Sequence, residues 1–78
     1  MNELTLKEMN AEKVVYLYKP NGKGAPGEIV YSFDTKEAKV NEKSSDDDTG
    51  YFAHKATKKI AEYVSREILP LKATQAWY

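Results

Sequence analysis

The fold is decided by residues 49–70, TGYFAHKATKKIAEYVSREILP, whose apolar residues recur at the spacing of an α-helix. At 100° per residue the apolar side chains fall within an arc of about 160°. The set comprises Phe52, Ala53, Ala56, Ile60, Tyr63, Val64 and Ile68, and Glu67 is the one charged residue among them. Asp48 or Thr49 can cap the first turn, and Pro70 disfavours helical backbone at the residue before it. The pattern therefore predicts one amphipathic helix over residues 51–69, with its apolar side against a core.

Three shorter segments are predicted to be strands of one antiparallel sheet. Residues 13–18, KVVYLY, and residues 28–33, EIVYSF, are dense in β-branched and aromatic side chains. Between them, residues 20–27 contain two prolines and three glycines, which predicts a long and mobile hairpin loop. Residues 34–37, DTKE, are interpreted as a tight turn, although a capping box opening a short helical turn would also fit. Residues 38–43 then form a third strand, whose lysines discourage pairing with another edge.

The helix is expected to cover the face of the sheet on which Ile29, Tyr31 and Phe33 alternate. Ile60 lies near the centre of the helix's apolar arc, so it is predicted to be among the most buried residues. On the first strand the register stays open, because either of two alternating sets can face inward. The two sets are Val15 with Leu17, and Val14 with Tyr16 and Tyr18.

The two ends of the chain and one loop carry weaker signals. Residues 3–10 fit a short N-terminal helical turn, because they contain the capping-box sequence TLKE, or a strand that carries Leu4 and Leu6. Residues 43–48 are polar and charged, which predicts a disordered loop. The aromatic tail, Trp77–Tyr78, either docks on the domain or is held out for a partner.

The composition indicates one small soluble domain. The chain has 78 residues, with 12 basic and 12 acidic residues and no cysteine, so it has no net charge and no disulfide to stabilise a small core. Dimerisation would add buried surface. No apolar run approaches the roughly 18 residues of a membrane span, and the N-terminus lacks a signal peptide's apolar stretch. We therefore expect a single cytoplasmic α+β domain over residues 1–78, with a three-stranded antiparallel sheet packed on one C-terminal helix.

No motif for catalysis, metal binding or cofactor binding is found in the sequence. His54, the single histidine, lies between the polar and apolar sides of the predicted helix, and no motif places a nucleophile or an orienting group beside it. The acidic run at residues 46–48, before Gly50, is similar to a calcium loop. However, the first and twelfth positions of such a loop would be Ser45 and Ala56, where Asp and Glu are needed. The sequence therefore predicts a protein that is not an enzyme and has no metal or cofactor.

A partner is expected on the outer side of the helix, where basic residues concentrate positive charge. Glu62 lies among them at spacings that allow ion pairs, as on an ordinary solvated helix face. Self-association is also expected if an exposed sheet face carries Tyr16 and Tyr18. We predict a small protein-interaction module, with nucleic-acid binding as the alternative. The partner-binding residues in this hypothesis are Lys55, Lys58, Lys59 and Arg66.

One short segment resembles a known family. Residues 57–61, TKKIA, are similar to the Ser-Lys-Lys-x-Ala start of the last helix in double-stranded-RNA-binding domains, which have the element order α-β-β-β-α. The resemblance implies that Lys58 and Lys59 contact RNA phosphates across the major groove. It covers five residues, and Glu62 stands where that pattern continues with lysine. Eleven of the twelve basic residues are lysine, which argues against base recognition by arginine and hints at an AT-rich bacterial or phage genome.

Overall fold

The computed structural model describes residues 1–76 and has an α+β architecture. Within that range there is one helix and one antiparallel sheet. The elements are β1 (Asn2–Met9), β2 (Lys13–Pro20), β3 (Gly27–Ser32), β4 (Glu37–Glu42), α1 (Tyr51–Ser65) and β5 (Lys72–Gln75). The strands lie in the order β4-β3-β2-β1-β5, so α1 connects one edge of the sheet to the other. The predicted strands correspond to β2, β3 and β4, whereas the prediction of only three strands was wrong. The predictions for the tail, Trp77–Tyr78, lie outside the described residues.

The core lies between α1 and one face of the sheet. Its buried members are Leu4, Val14, Tyr16, Tyr18, Ile29, Tyr31, Ala53, Ala56 and Ile60. The register of β2 is therefore the one that turns Val14, Tyr16 and Tyr18 towards the helix. Ile60 is 0% exposed, which confirms its predicted place at the centre of the core. Tyr16 and Tyr18 are also 0% exposed, so the exposed tyrosine face that motivated self-association does not exist.

The N-terminal segment is a strand, not a helical turn. β1 pairs with β2 on one side and with β5 on the other, so both edges of its first half take part in ladder hydrogen bonds. At the end of β1 the carboxamide oxygen of Asn10 accepts bonds from the backbone N–H groups of Glu12 (2.8 Å) and Lys13 (3.0 Å). This Asx turn closes the β1–β2 hairpin. The chain therefore starts with β-strands, and the element order differs from that of double-stranded-RNA-binding domains.

The helix ends four residues earlier than predicted, at Ser65, because Glu67 adopts a left-handed backbone conformation with φ of 58°. The N–H of Glu67 donates to the carbonyl of Val64 (3.1 Å), and the N–H of Ile68 donates to the carbonyl of Tyr63 (3.0 Å). These two bonds form a Schellman motif, which satisfies carbonyls of the last turn. After this motif the chain continues to β5, which lies beside β1. Pro70 therefore lies beyond the helix and not at its end.

The loop of residues 43–48 is ordered, and it caps the helix. The carboxylate of Asp47, which is 1% exposed, accepts bonds from the backbone N–H groups of Phe52 (3.2 Å) and Ala53 (2.8 Å). The hydroxyl of Tyr18 donates to the same carboxylate (3.0 Å). The N-cap position is Gly50, with no side-chain bond of its own, so the expectation that Asp48 or Thr49 is the N-cap residue was wrong. Asp47 supplies the acceptors that an N-cap side chain normally provides.

The hairpin loop of residues 20–27, which was predicted to be mobile, is attached to this capping loop. The side chain of Ser44 donates to the carbonyl of Ala25, and the N–H of Ala25 donates to the carboxylate of Asp46 (2.9 Å). Gly27 allows the two loops to approach, because a Cβ atom there would lie 2.7 Å from the backbone nitrogen of Ser44 and 2.1 Å from the ring of Tyr18. Packing of the loops therefore depends on a residue without a side chain at the start of β3.

Candidate binding surface

Of the basic residues predicted to bind a partner, three lie on α1 and Arg66 directly follows it; none is buried, but they are not four independent cations. The ammonium group of Lys59 lies 3.5 Å from Glu62, and the guanidinium of Arg66 lies 3.3 Å from the same carboxylate. The ammonium groups of Lys55 and Lys59 each lie 5.5 Å from the centre of a tyrosine ring. Lys58 is exposed and forms no ion pair within residues 1–76. Exposed pairs of this kind contribute little to stability, but they lower the net charge of the surface.

The opposite face of the sheet carries no covering element among residues 1–76, and we call it the uncovered face. Its centre holds the apolar side chains Val15, Leu17 and Val30, which belong to the alternating set that points away from the helix. Val15 is only 4% exposed although no helix covers it. A shallow concavity of about 590 Å³ lies over Val15 and Val30. Long charged side chains shield this centre, as their aliphatic stems cover apolar surface. They include Lys7, Lys13, Glu28 and Lys39.

The central concavity is crossed by an ion pair between β1 and β3. The ammonium group of Lys7 lies 2.7 Å from the carboxylate of Glu28, and the pair reaches over β2, which separates the two strands. Asn41 also donates to this carboxylate. The hydrogen bonds from Lys7 and Asn41 lower the pKa of Glu28, and the bond to Glu28 raises the pKa of Lys7. Both groups are therefore charged at neutral pH, and their charges offset each other.

One corner of the uncovered face carries lysines that, unlike Lys7, have no carboxylate of residues 1–76 paired with them. A second shallow concavity of about 480 Å³ is lined by Lys19, Lys23 and Lys72, together with Glu3, Thr5, Asn21 and Gly22. We call the three lysines the lysine corner. All three are exposed, and none of them forms an ion pair with another residue of the described range 1–76. The carboxylate of Glu3 instead accepts a bond from the hydroxyl of Thr74 (3.0 Å). This cluster has no local signal in the sequence, because it depends on the pairing of β1 with both β2 and β5.

His54, the single histidine and the one candidate for a catalytic base weighed from the sequence, lies on the helix. His54 is exposed on α1, and its backbone N–H donates to the carbonyl of Gly50 within the helix. Across residues 1–76 no group of three or more His, Cys, Asp or Glu side chains is placed to hold a metal ion. No helix in this range is long and apolar enough to cross a membrane.

Comparisons of the chain with protein-family models, with curated proteins and with solved structures find no match.

Proposed function

We propose that this protein is a non-catalytic binding module whose partner docks on the uncovered face of the sheet. The observation that carries the proposal is the arrangement on that face of an apolar centre, Val15, Leu17 and Val30, inside a ring of charged side chains. An apolar centre with a polar rim is the usual anatomy of a protein interface. The helix covers the other face, so a partner can dock here without any rearrangement of the core, by displacing the charged side chains that shield Val15.

The experiment compares two double variants that alter opposite sides of the molecule. Leu17→Lys with Val30→Lys removes the apolar centre of the uncovered face, and Lys55→Glu with Lys59→Glu reverses charge on α1. Each tagged chain is used to retain partners from cell extract, and circular dichroism confirms that each variant is folded. We expect the first variant to lose the retained partners and the second to keep them. The proposal is wrong if both variants retain the same partners as the unaltered chain.

Nucleic-acid binding through the basic side of α1 is the second candidate function. The observation that favours it is the position of Lys58, exposed and without an ion-pair partner in residues 1–76, next to Lys55 and Lys59 on the same side of the helix. Contacts to phosphates release counterions, so such binding should weaken steeply as salt is raised. Duplex RNA and duplex DNA are titrated at low and moderate salt against the unaltered chain and the Lys55→Glu, Lys59→Glu variant. Equal binding by the two chains would exclude this function.

A further inference from the structure

We propose that the lysine corner binds the phosphate group of a small phosphorylated molecule. This inference rests on the proposed function, because it assigns a class of ligand to one part of the uncovered face. The three lysines come from different segments: Lys19 from β2, Lys72 from β5, and Lys23 from the turn that follows β2. β1 lies between β2 and β5, so two of the lysines flank that strand from opposite sides.

The backbone holds the lysine corner in place before any ligand binds. In the β1–β2 register, Lys19 is opposite Glu3, and in the β1–β5 register Lys72 is opposite Thr5. The turn that carries Lys23 is closed by two backbone bonds, from Gly22 N–H to the Lys19 carbonyl (3.0 Å) and from Lys23 N–H to the Pro20 carbonyl (3.1 Å). Only the flexible side chains must become ordered when an anion binds, and this lowers the entropic cost of recognition.

The charge at the lysine corner matches that of a phosphate monoester. The three lysines and Glu3 carry a formal charge of +2 at neutral pH, and the N-terminal ammonium group, which donates to the carboxamide oxygen of Asn21 (3.1 Å), adds positive charge beside them. A phosphate monoester carries about −1.5 to −2 at the same pH. Lysine binds phosphate as a point charge, and the hydroxyl of Thr5 and the NH2 group of the Asn21 carboxamide, both in the concavity, can donate further hydrogen bonds.

The rest of the uncovered face favours a compact anion over a long polyanion. Four carboxylates lie on this side of the sheet or at its rim, and two of them already pair with Lys7 and Lys13. The four are Glu8, Glu28, Glu37 and Glu42. With Lys7, Lys13 and Lys39 they give this part of the face a formal charge of −1, so a nucleic-acid backbone laid across it would gain no net attraction there. None of the strand positions on this face carries an arginine or an aromatic ring, the residues that read guanine or stack on unpaired bases.

The test titrates the whole chain with glycerol phosphate at low ionic strength and follows backbone amide shifts by NMR. We expect saturable shifts at residues that line the lysine corner. Lys19→Gln and Lys72→Gln should each weaken binding about two- to fivefold, and Glu3→Gln should strengthen it by a similar factor. Lys58→Gln is the matched control, since it removes the same charge from an exposed site on α1. All four changes are at residues outside the core, so loss of folding cannot produce the opposite effects of the Glu3 and Lys19 variants.

Several results would overturn the inference. They are the absence of saturable shifts, an equal loss of affinity in Lys58→Gln, and no gain of affinity in Glu3→Gln. Binding of duplex DNA or of a phosphoserine peptide about tenfold tighter than glycerol phosphate would assign the corner to a macromolecular ligand instead. The Leu17→Lys, Val30→Lys variant retains Lys19, Lys23 and Lys72, and the phosphate titration uses the unaltered chain, so the two experiments are independent. If that variant loses its partners while glycerol phosphate fails to bind the unaltered chain, only the ligand class is wrong and the proposed function stands.

Discussion

Replacement of Asp47 by alanine should be the most damaging change outside the hydrophobic core. The carboxylate accepts three hydrogen bonds, from two backbone N–H groups of the first helical turn and from the hydroxyl of Tyr18. Loss of a helix cap costs about 1 to 2 kcal/mol, and a buried hydroxyl left without its acceptor costs about 1 to 2 kcal/mol more. We therefore expect the free energy of unfolding to fall by about 2 to 4 kcal/mol. A domain of this size has about 4 to 12 kcal/mol in total, so the variant should fold with a small margin.

Asp48→Ala is the control for this prediction, because it removes the same charge from the next residue, which is exposed. It should change the free energy of unfolding by less than about 0.5 kcal/mol. Urea denaturation followed by circular dichroism at 222 nm measures both variants. A double-mutant cycle with Tyr18→Phe should also show a coupling of about 1 kcal/mol between Asp47 and Tyr18. A loss below about 1 kcal/mol for Asp47→Ala, or one as small as that of Asp48→Ala, would show that this carboxylate does not cap the helix.

Three further predictions test the core, the end of the helix and the hydroxyl of Tyr16. Ile60→Ala should lower the free energy of unfolding by about 2 to 4 kcal/mol in urea titration, since Ile60 is fully buried, and a loss below about 1 kcal/mol would contradict the packing described above. Glu67→Gly should raise the free energy of unfolding by about 1 kcal/mol and the melting temperature by about 4 to 8 °C, because glycine adopts φ of 58° without strain. Calorimetry should find no such gain for Glu67→Ala. Burial raises the pKa of Tyr16 to about 12, with a smaller effect from Tyr63, whereas the unfolded hydroxyl ionises near pH 10. The unfolded state therefore loses protons first, and the stability due to this group should be complete below pH 10 and lost between pH 10 and 12. Urea titrations across this range should show a shallower decline in Tyr16→Phe than in the unaltered chain.

The central elements were predictable because their patterns are local. The 3.6-residue period of α1 and the alternation in β3 place Ile60, Ile29 and Tyr31 in the core without reference to other parts of the chain. Phe33, predicted on the same face, lies just beyond the end of β3 and is 36% exposed. β1 was ambiguous because a capping-box sequence and an alternation of leucines occupy the same residues, and only pairing with two neighbours selects the strand. β5, with the sequence KATQ, has almost no apolar pattern of its own. Its position beside β1 comes from tertiary pairing, which overrides weak local propensity.

The ends of α1 show why charged residues were harder to interpret than apolar ones. Glu67 was the single charged residue in the apolar arc, and the structure explains it, since this residue leaves the helix in a left-handed conformation. Of the three consecutive aspartates, Asp47 turns inward, because Tyr18 and the first helical turn offer it donors. Neither outcome follows from helical periodicity, which assigns a side to each residue but does not locate hydrogen-bond partners from distant strands.

The lysines of the uncovered face that are unpaired within residues 1–76 are not explained by their contribution to stability. Lys7, Lys13, Lys59 and Arg66 each have a carboxylate within 4.0 Å, so much of the surface charge is locally offset. The lysine corner gathers three ammonium groups from separate segments around one carboxylate, although the chain as a whole is neutral. Like charges brought together by folding repel each other and lower stability by a small amount. An anion bound at this corner would reverse that effect, so glycerol phosphate should also raise the melting temperature of the unaltered chain, and less so that of Lys19→Gln.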